Sequence, residues 1–163
     1  MVLALFAAGA GCAKAPDPAA ELKKTVWDHF TIAVGGHPAS LEVAILEAEQ
    51  ERGLMQRPDL GKDEGMIFVY HEPQRQNFWM RNTPEALDIA YVDPDGTIAE
   101  IYPMLPLDQR GITSHSDRIQ YAVEMPQGWY EANGVRAGDH LDMKAVADAV
   151  KARGFDPQKF GFP

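Results

Sequence analysis

Apolar and polar positions change rhythm several times along the chain. Trp27, Phe30, Ile32 and Val34 alternate roughly with other residues and stop at Gly35-Gly36. Leu41, Val43 and Ile45 alternate with Glu42 and Ala44, the period of a half-buried strand. Together they predict a hairpin around Gly35-Gly36-His37-Pro38. Glu47 to Gln56 is rich in strong helix formers and predicts a short helix ended by Pro58, with Gly53 inside it at a point of close packing. Gly65 to Tyr70 and Asn77 to Arg81 are apolar runs of strand length. Leu87 to Val92 and Thr97 to Tyr102 flank Asp93-Pro94-Asp95-Gly96, the strongest hairpin signal in the chain.

An irregular stretch is expected from Pro103 to about Arg118, then a strand from Gln120 to Met125 stopped by Pro126. Gly128 to Asn133 predicts one helical turn, closed by Gly134. Val135 to Asp142 predicts a turn at Gly138-Asp139 and a short last strand. Lys144 to Arg153 places Ala145, Val146, Ala149 and Val150 on one helical face, with Gly154 as the stop. That modest face suits the edge of a sheet. The expected fold is α+β and β-dominated. A small, mostly antiparallel sheet would curl into a barrel or sandwich with two or three peripheral helices.

Residues 1–12 form an apolar run ending at Cys12, the single cysteine. The run is far short of the ~20 residues a membrane-spanning helix needs, and it has the length of an export-signal core. Its end resembles the lipobox of bacterial lipoproteins, in which the cysteine is lipidated and becomes the mature N-terminus. A leader cleaved without lipidation is the alternative. The expected organisation is a leader over residues 1–12, a Pro- and Ala-containing tether over 13–25 and one globular domain over 26–163. The expected location is the cell envelope, periplasmic or held to the membrane through Cys12.

Charge narrows the partners. Fifteen Lys and Arg against 24 Asp and Glu give a formal net charge of −9, so the chain lacks the basic footprint that nucleic acid requires. Arg52, Arg57, Arg75 and Arg81 nevertheless lie close together in sequence. Guanidiniums can hold a carboxylate or phosphate bidentately. In Phe78-Trp79-Met80-Arg81-Asn82, alternation puts Trp79 and Arg81 on one side and Phe78, Met80 and Asn82 on the other. An aromatic wall beside a cation is the candidate binding feature. Pairing of the arginines with nearby acids, such as Glu49 with Arg52, is the competing explanation.

Six methionines after Met1 and five histidines show no compact Met-x-Met or His-x-His spacing, so no metal or cofactor is expected. No nucleophile-elbow, zinc-protease or phosphate-loop motif is present. An acid–base group could arise only if the fold brought Asp88 or Glu124 to His71 or His115.

Several segments in order carry a resemblance. They are Glu51-Arg52-Gly53-Leu54-Met55 with Arg57, Glu64-Gly65-Met66-Ile67-Phe68, Phe78-Trp79-Met80-Arg81-Asn82-Thr83, and Leu87-Asp88-Ile89. Tyr121-Ala122-Val123-Glu124, Gly128-Trp129, Asn133-Gly134-Val135 and Gly138-Asp139 follow. From about Val26 to Met143 the chain resembles the small prokaryotic family catalogued as domain of unknown function 192. The resemblance implies a protein often exported or membrane-attached, and it carries over no catalytic residues. The family's characteristic polar positions match Arg52, Arg57, Trp79, Arg81, Asn82, Asp88 and Glu124. The expected function is a non-enzymatic envelope module. Trp79, Arg57 and Arg81 would line a cleft, oriented by Asp88 and Glu124. The ligand would be a small anion, or an acidic or C-terminal group of an envelope protein. Scaffolding of envelope proteins, or hydrolysis by the acid–base group above, are the alternatives.

Overall fold

A computed structural model describes residues 23–163. The leader, Cys12 and most of the expected tether lie outside the described residues. The elements are β1 (Phe30–Val34), β2 (His37–Ala44), α1 (Glu47–Arg52), β3 (Glu64–Gln74), β4 (Asn77–Phe78), β5 (Leu87–Val92), β6 (Ile98–Met104), β7 (Ile112–Thr113), β8 (Ile119–Pro126), α2 (Trp129–Ala132) and α3 (Met143–Ala152). A single 3₁₀ turn follows at Pro157–Phe160.

Six strands form one sheet in the order β1-β2-β3-β8-β5-β6, and β4 pairs with β7 in a small separate ribbon. Both predicted hairpins are present. Val34 pairs with His37 across Gly35-Gly36, whose φ values of 59° and 83° suit a tight turn that twists with its strands. β5 and β6 pair antiparallel around Asp93–Gly96. The exception to the antiparallel pattern is β2 against β3. A parallel pair needs a crossover, and α1 with its following loop supplies it.

The expected barrel or sandwich is not found among the described residues. The order ends on β1 and β6, which do not pair. Closure is unnecessary because each face has its own cover. One layer buries Ile32, Val43, Ile67 and Val123 against Val146, Val150 and Phe160 from α3 and the tail. The other buries Met66, Phe68, Ile89 and Tyr91 against Leu54, Phe78 and Met80. α3 packs on β1, the edge strand, as its modest apolar face requires.

Three local expectations change. The helix predicted to Gln56 ends at Arg52, because Gly53 turns the chain at φ 49°. Gly53 is therefore its terminator and not an interior residue. The strand predicted over Asn77–Arg81 pairs only at Asn77 and Phe78, after which Met80 N–H bonds to Asp108 O in an irregular segment. The last predicted strand is reduced to bridges at His140 and Leu141. The side-chain alternation survives the loss of pairing as far as Arg81: Phe78 and Met80 are buried while Trp79 and Arg81 face outward, but Asn82, expected on the buried side, is exposed because the chain turns there at φ 55°.

Candidate functional site

The second core layer does not cover its face of the sheet completely. Between α1 and the 77–82 segment lies an open groove of about 740 Å³, lined by Glu47, Gln50, Glu51, Met55, Trp79 and Arg81 among others. Trp79 is 47% exposed there, an unusual position for the largest apolar side chain. The Arg81 guanidinium lies 5.6 Å from its ring centroid. Among the described residues Arg81 has no acceptor. The opposite flank is α1. Glu49 accepts the N–H groups of Ile45 and Leu46 at 2.9 and 3.0 Å, closing the helix start. Gln50 donates to Val69 O at 2.9 Å and ties the helix to β3. Glu47 and Glu51, one turn apart, are left on the groove.

A narrow slot of about 30 Å³ continues inward past Trp79, between Arg52, Gly53, Met55, Thr83 and Phe68. Glu124 is part of its lining. Glu124 stands on β8, a central strand, opposite Met66 on β3 and Ile89 on β5. It is 5% exposed, and among the described residues no hydrogen bond or cation offsets its burial, which pushes its carboxyl up to about 8. Gly53 leaves the slot room: a Cβ there would lie 3.4 Å from Phe68 and 3.8 Å from Glu124 Oε2.

One groove-lining residue, Asn82, has a positive φ, and two linked loops behind it carry others. The non-glycine residues with positive φ are Gln56 at 59°, Asn82 at 55° and Leu107 at 62°. Their loops interlock: Gln56 N–H bonds to Asn82 O, and Leu107 N–H bonds to Thr83 O. Asn tolerates this conformation; Gln and Leu pay for it.

The family model of domain of unknown function 192, described as "Uncharacterized ACR", matches residues 30–143. The chain belongs to this family. No curated protein matches it. Among solved structures, a Sinorhizobium meliloti protein described as a candidate transcription regulator is similar at 29% identity and a TM-score of 0.65, covering 71% of this chain and 92% of that one. A Novosphingobium aromaticivorans protein of unknown function is similar at 30% identity and a TM-score of 0.64, covering 82% of this chain and 99% of that one.

The seven positions that the resemblance singles out do not meet in one place. Trp79, Arg81 and Asn82 line the groove. Arg52 and Glu124 line the slot, with Arg52 stacked 4.0 Å over Trp27 and not paired with Glu49. Arg57 lies outside both, bonded to the buried carboxylate of Glu42. Asp88 is one residue from Ile89, the register partner of Glu124, so it projects from the other face of the sheet. There it accepts Gly128 N–H at 2.7 Å and fixes the start of α2. Asp88 and Arg57 are thus structural, and the expected orienting of the guanidiniums by Asp88 is not seen. Arg75 bonds to His115 O.

The expected acid–base group does not assemble. His71 stacks on Phe160 and contacts Lys159 O. His115 lies 3.2 Å from Glu100 and 2.7 Å from the Tyr102 hydroxyl. Neither meets Asp88 or Glu124. Sequence reasoning passed over this Glu100 cluster. Partial burial would raise the Glu100 carboxyl, but the N–H groups of His115 and Ser116 and the Tyr102 hydroxyl outweigh it and hold it at about 2. It also passed over Glu47 and Glu51, whose helical spacing was the available signal. Among the described residues no group of three or more His, Cys, Asp or Glu is placed to hold a metal.

Proposed function

We propose that this protein is a binding module of the cell envelope, and that its ligand docks in the Trp79 groove. A carboxylate of the ligand, or the carboxyl terminus of a partner, would lie on Arg81 while its apolar body covers Trp79. One observation carries this: a guanidinium with no acceptor among the described residues stands beside a half-exposed tryptophan on an open groove of about 740 Å³. An Arg–Trp pair left open to solvent is the composition that recognition surfaces favour. The apolar run ending at Cys12 supports delivery to the envelope, with a lipid on that cysteine as the anchor. The regulator description of the S. meliloti neighbour is not carried over, because a net charge of −9 opposes DNA binding.

A thermal-shift series on the full chain tests the groove. Acetate, hexanoate and a short acidic peptide are the probes. A ligand of the native state raises Tm by mass action. The expected result is a rise with hexanoate above that with acetate, lost in Arg81→Ala while the unliganded Tm stays put. No rise with any probe, or an equal rise in Arg81→Ala, overturns the proposal.

A further inference from the structure

The groove carries more negative than positive groups, which a simple anion site would not. Glu47 and Glu51 sit four residues apart on a helix of only six residues, where like charges repel. Among the described residues neither has a cation partner. Glu124 is the stronger sign. A carboxyl buried in a central strand normally has donors around it. Glu124 has none among the described residues, and its carboxyl borders the slot. The slot's volume of about 30 Å³ admits one small polar group and nothing larger.

We propose that the groove's ligand is a zwitterion: its carboxylate lies on Arg81, its primary ammonium enters the slot toward Glu124 and Glu51, and its alkyl portion lies along Trp79 and Met55. This rests on the groove being a binding site and adds the second pole. A dianion would meet Glu47 and Glu51 at the mouth. A plain amine would meet Arg81. A molecule bearing both charges in order satisfies each group and is selected against its one-pole analogues by the charges they leave unpaired. An ammonium with three donors also suits a slot whose lining includes Glu124, Thr83 and Gln50. Binding is balanced by a proton. Glu124 starts protonated at neutral pH, since burial holds its carboxyl up at about 8, and the incoming ammonium favours the carboxylate. The displaced proton leaves to buffer. The groups around Glu124 are Glu51 and Arg52 on α1, Tyr70 on β3, Tyr91 on β5 and, from the opposite face, Tyr130 on α2. The three tyrosines stay neutral, because burial raises each well above its ordinary value.

The test is titration calorimetry of the full chain with ω-amino acids of increasing length, from glycine to 6-aminohexanoate, against hexanoate and hexylamine. One amino acid of the series is expected to bind at least tenfold tighter than either one-pole probe, and to release up to one proton, read from the buffer dependence of the heat. Glu124→Gln should remove the tenfold preference and the proton release while leaving hexanoate binding intact. Glu51→Gln, an exposed change that cannot disturb the core, should weaken the amino acid and not hexanoate. If hexanoate binds as tightly as every amino acid, the zwitterion falls and the anion groove stands. If hexylamine alone binds, and Arg81→Ala leaves it unchanged, the zwitterion falls as well. If no probe binds, both proposals fall together.

Discussion

On the α3 face of the sheet, Asp88 accepts Gly128 N–H at 2.7 Å, the Tyr130 hydroxyl donates to Val123 O at 2.8 Å, and Trp129 Nε1 donates to Asp63 at 3.1 Å. On the groove face, Glu124 is equally buried and has no donor among the described residues, and one oxygen of Glu42 is unpaired beneath Arg57. The same strands supply both sets of residues. Asp88 and Ile89 are neighbours, and Ile89 is the register partner of Glu124. The difference therefore lies in what covers each face. α2, α3 and the tail complete one side with donors to Asp88, Val123 O and Asp63, leaving Arg153 Nε at the end of α3 as an unpaired atom there. α1 and the strained 53–57, 80–83 and 105–108 loops leave the other side open at a tryptophan. Buried polar groups are normally paired, so an unpaired one next to strained backbone marks where something outside the chain is expected.

The largest test of this contrast is Ile67→Ala. Ile67 is fully buried in the α3 layer, and truncation there should cost about 2–5 kcal/mol in urea unfolding. Trp79→Ala, in the groove, should cost far less despite removing more atoms. If Trp79→Ala costs as much as Ile67→Ala, the groove wall is a structural layer and the contrast disappears.

Two glutamates sharpen it next. Glu100→Gln removes an acceptor that serves the His115 and Ser116 N–H groups and the Tyr102 hydroxyl, at about 1.5–3 kcal/mol near pH 7. Its folded value of about 2 lies below its ordinary 4.5. That stability is present above pH 4.5 and is lost as the pH falls through 2, so the variant and the parent should converge there. Glu124→Gln should behave oppositely. Its folded value of about 8 lies above the ordinary 4.5, so both states are protonated below pH 4.5 and no penalty exists. The penalty grows between pH 4.5 and 8 as only the unfolded chain ionises, and it is complete above 8. The variant should match the parent at pH 4 and exceed it by about 1–3 kcal/mol at pH 9. A less stable variant at pH 9 would show that Glu124 has a partner after all.

Much of the sheet was legible because its signals are local. Gly35-Gly36 and Asp93–Gly96 announce their hairpins by backbone chemistry alone, and the Ala145–Val150 face announces α3. The parallel pairing of β2 with β3 was not legible, because it depends on where a crossover lands rather than on any residue in either strand. The groove was half legible. Alternation singles out Trp79 and Arg81, and it holds from Phe78 to Arg81 where strand pairing fails, breaking at Asn82. That Arg57 would be taken up by Glu42, or Arg52 by Trp27, depends on contacts across 15 and 25 residues that composition cannot rank. Glu124 read as an acid that would orient the guanidiniums or work with a histidine, and among the described residues it bonds to neither. Its isolation is visible only once α1 and the slot are in place.

The smallest expected change in stability belongs to Arg81→Ala, and it separates the two faces most cleanly. Arg81 is exposed and stacks at 5.6 Å on a ring that is itself half in water. Such a contact is worth about 0.5–1 kcal/mol at most, and truncation returns the side-chain entropy that held it. The net change should stay within about 0.5 kcal/mol, a Tm indistinguishable from the parent's. A residue whose loss costs the fold nothing, while hexanoate no longer raises Tm, has its use outside the fold. If Arg81→Ala lowers Tm as a core truncation does, Arg81 is a strut across the 77–82 segment, and the groove beside it is a gap in the packing rather than a site.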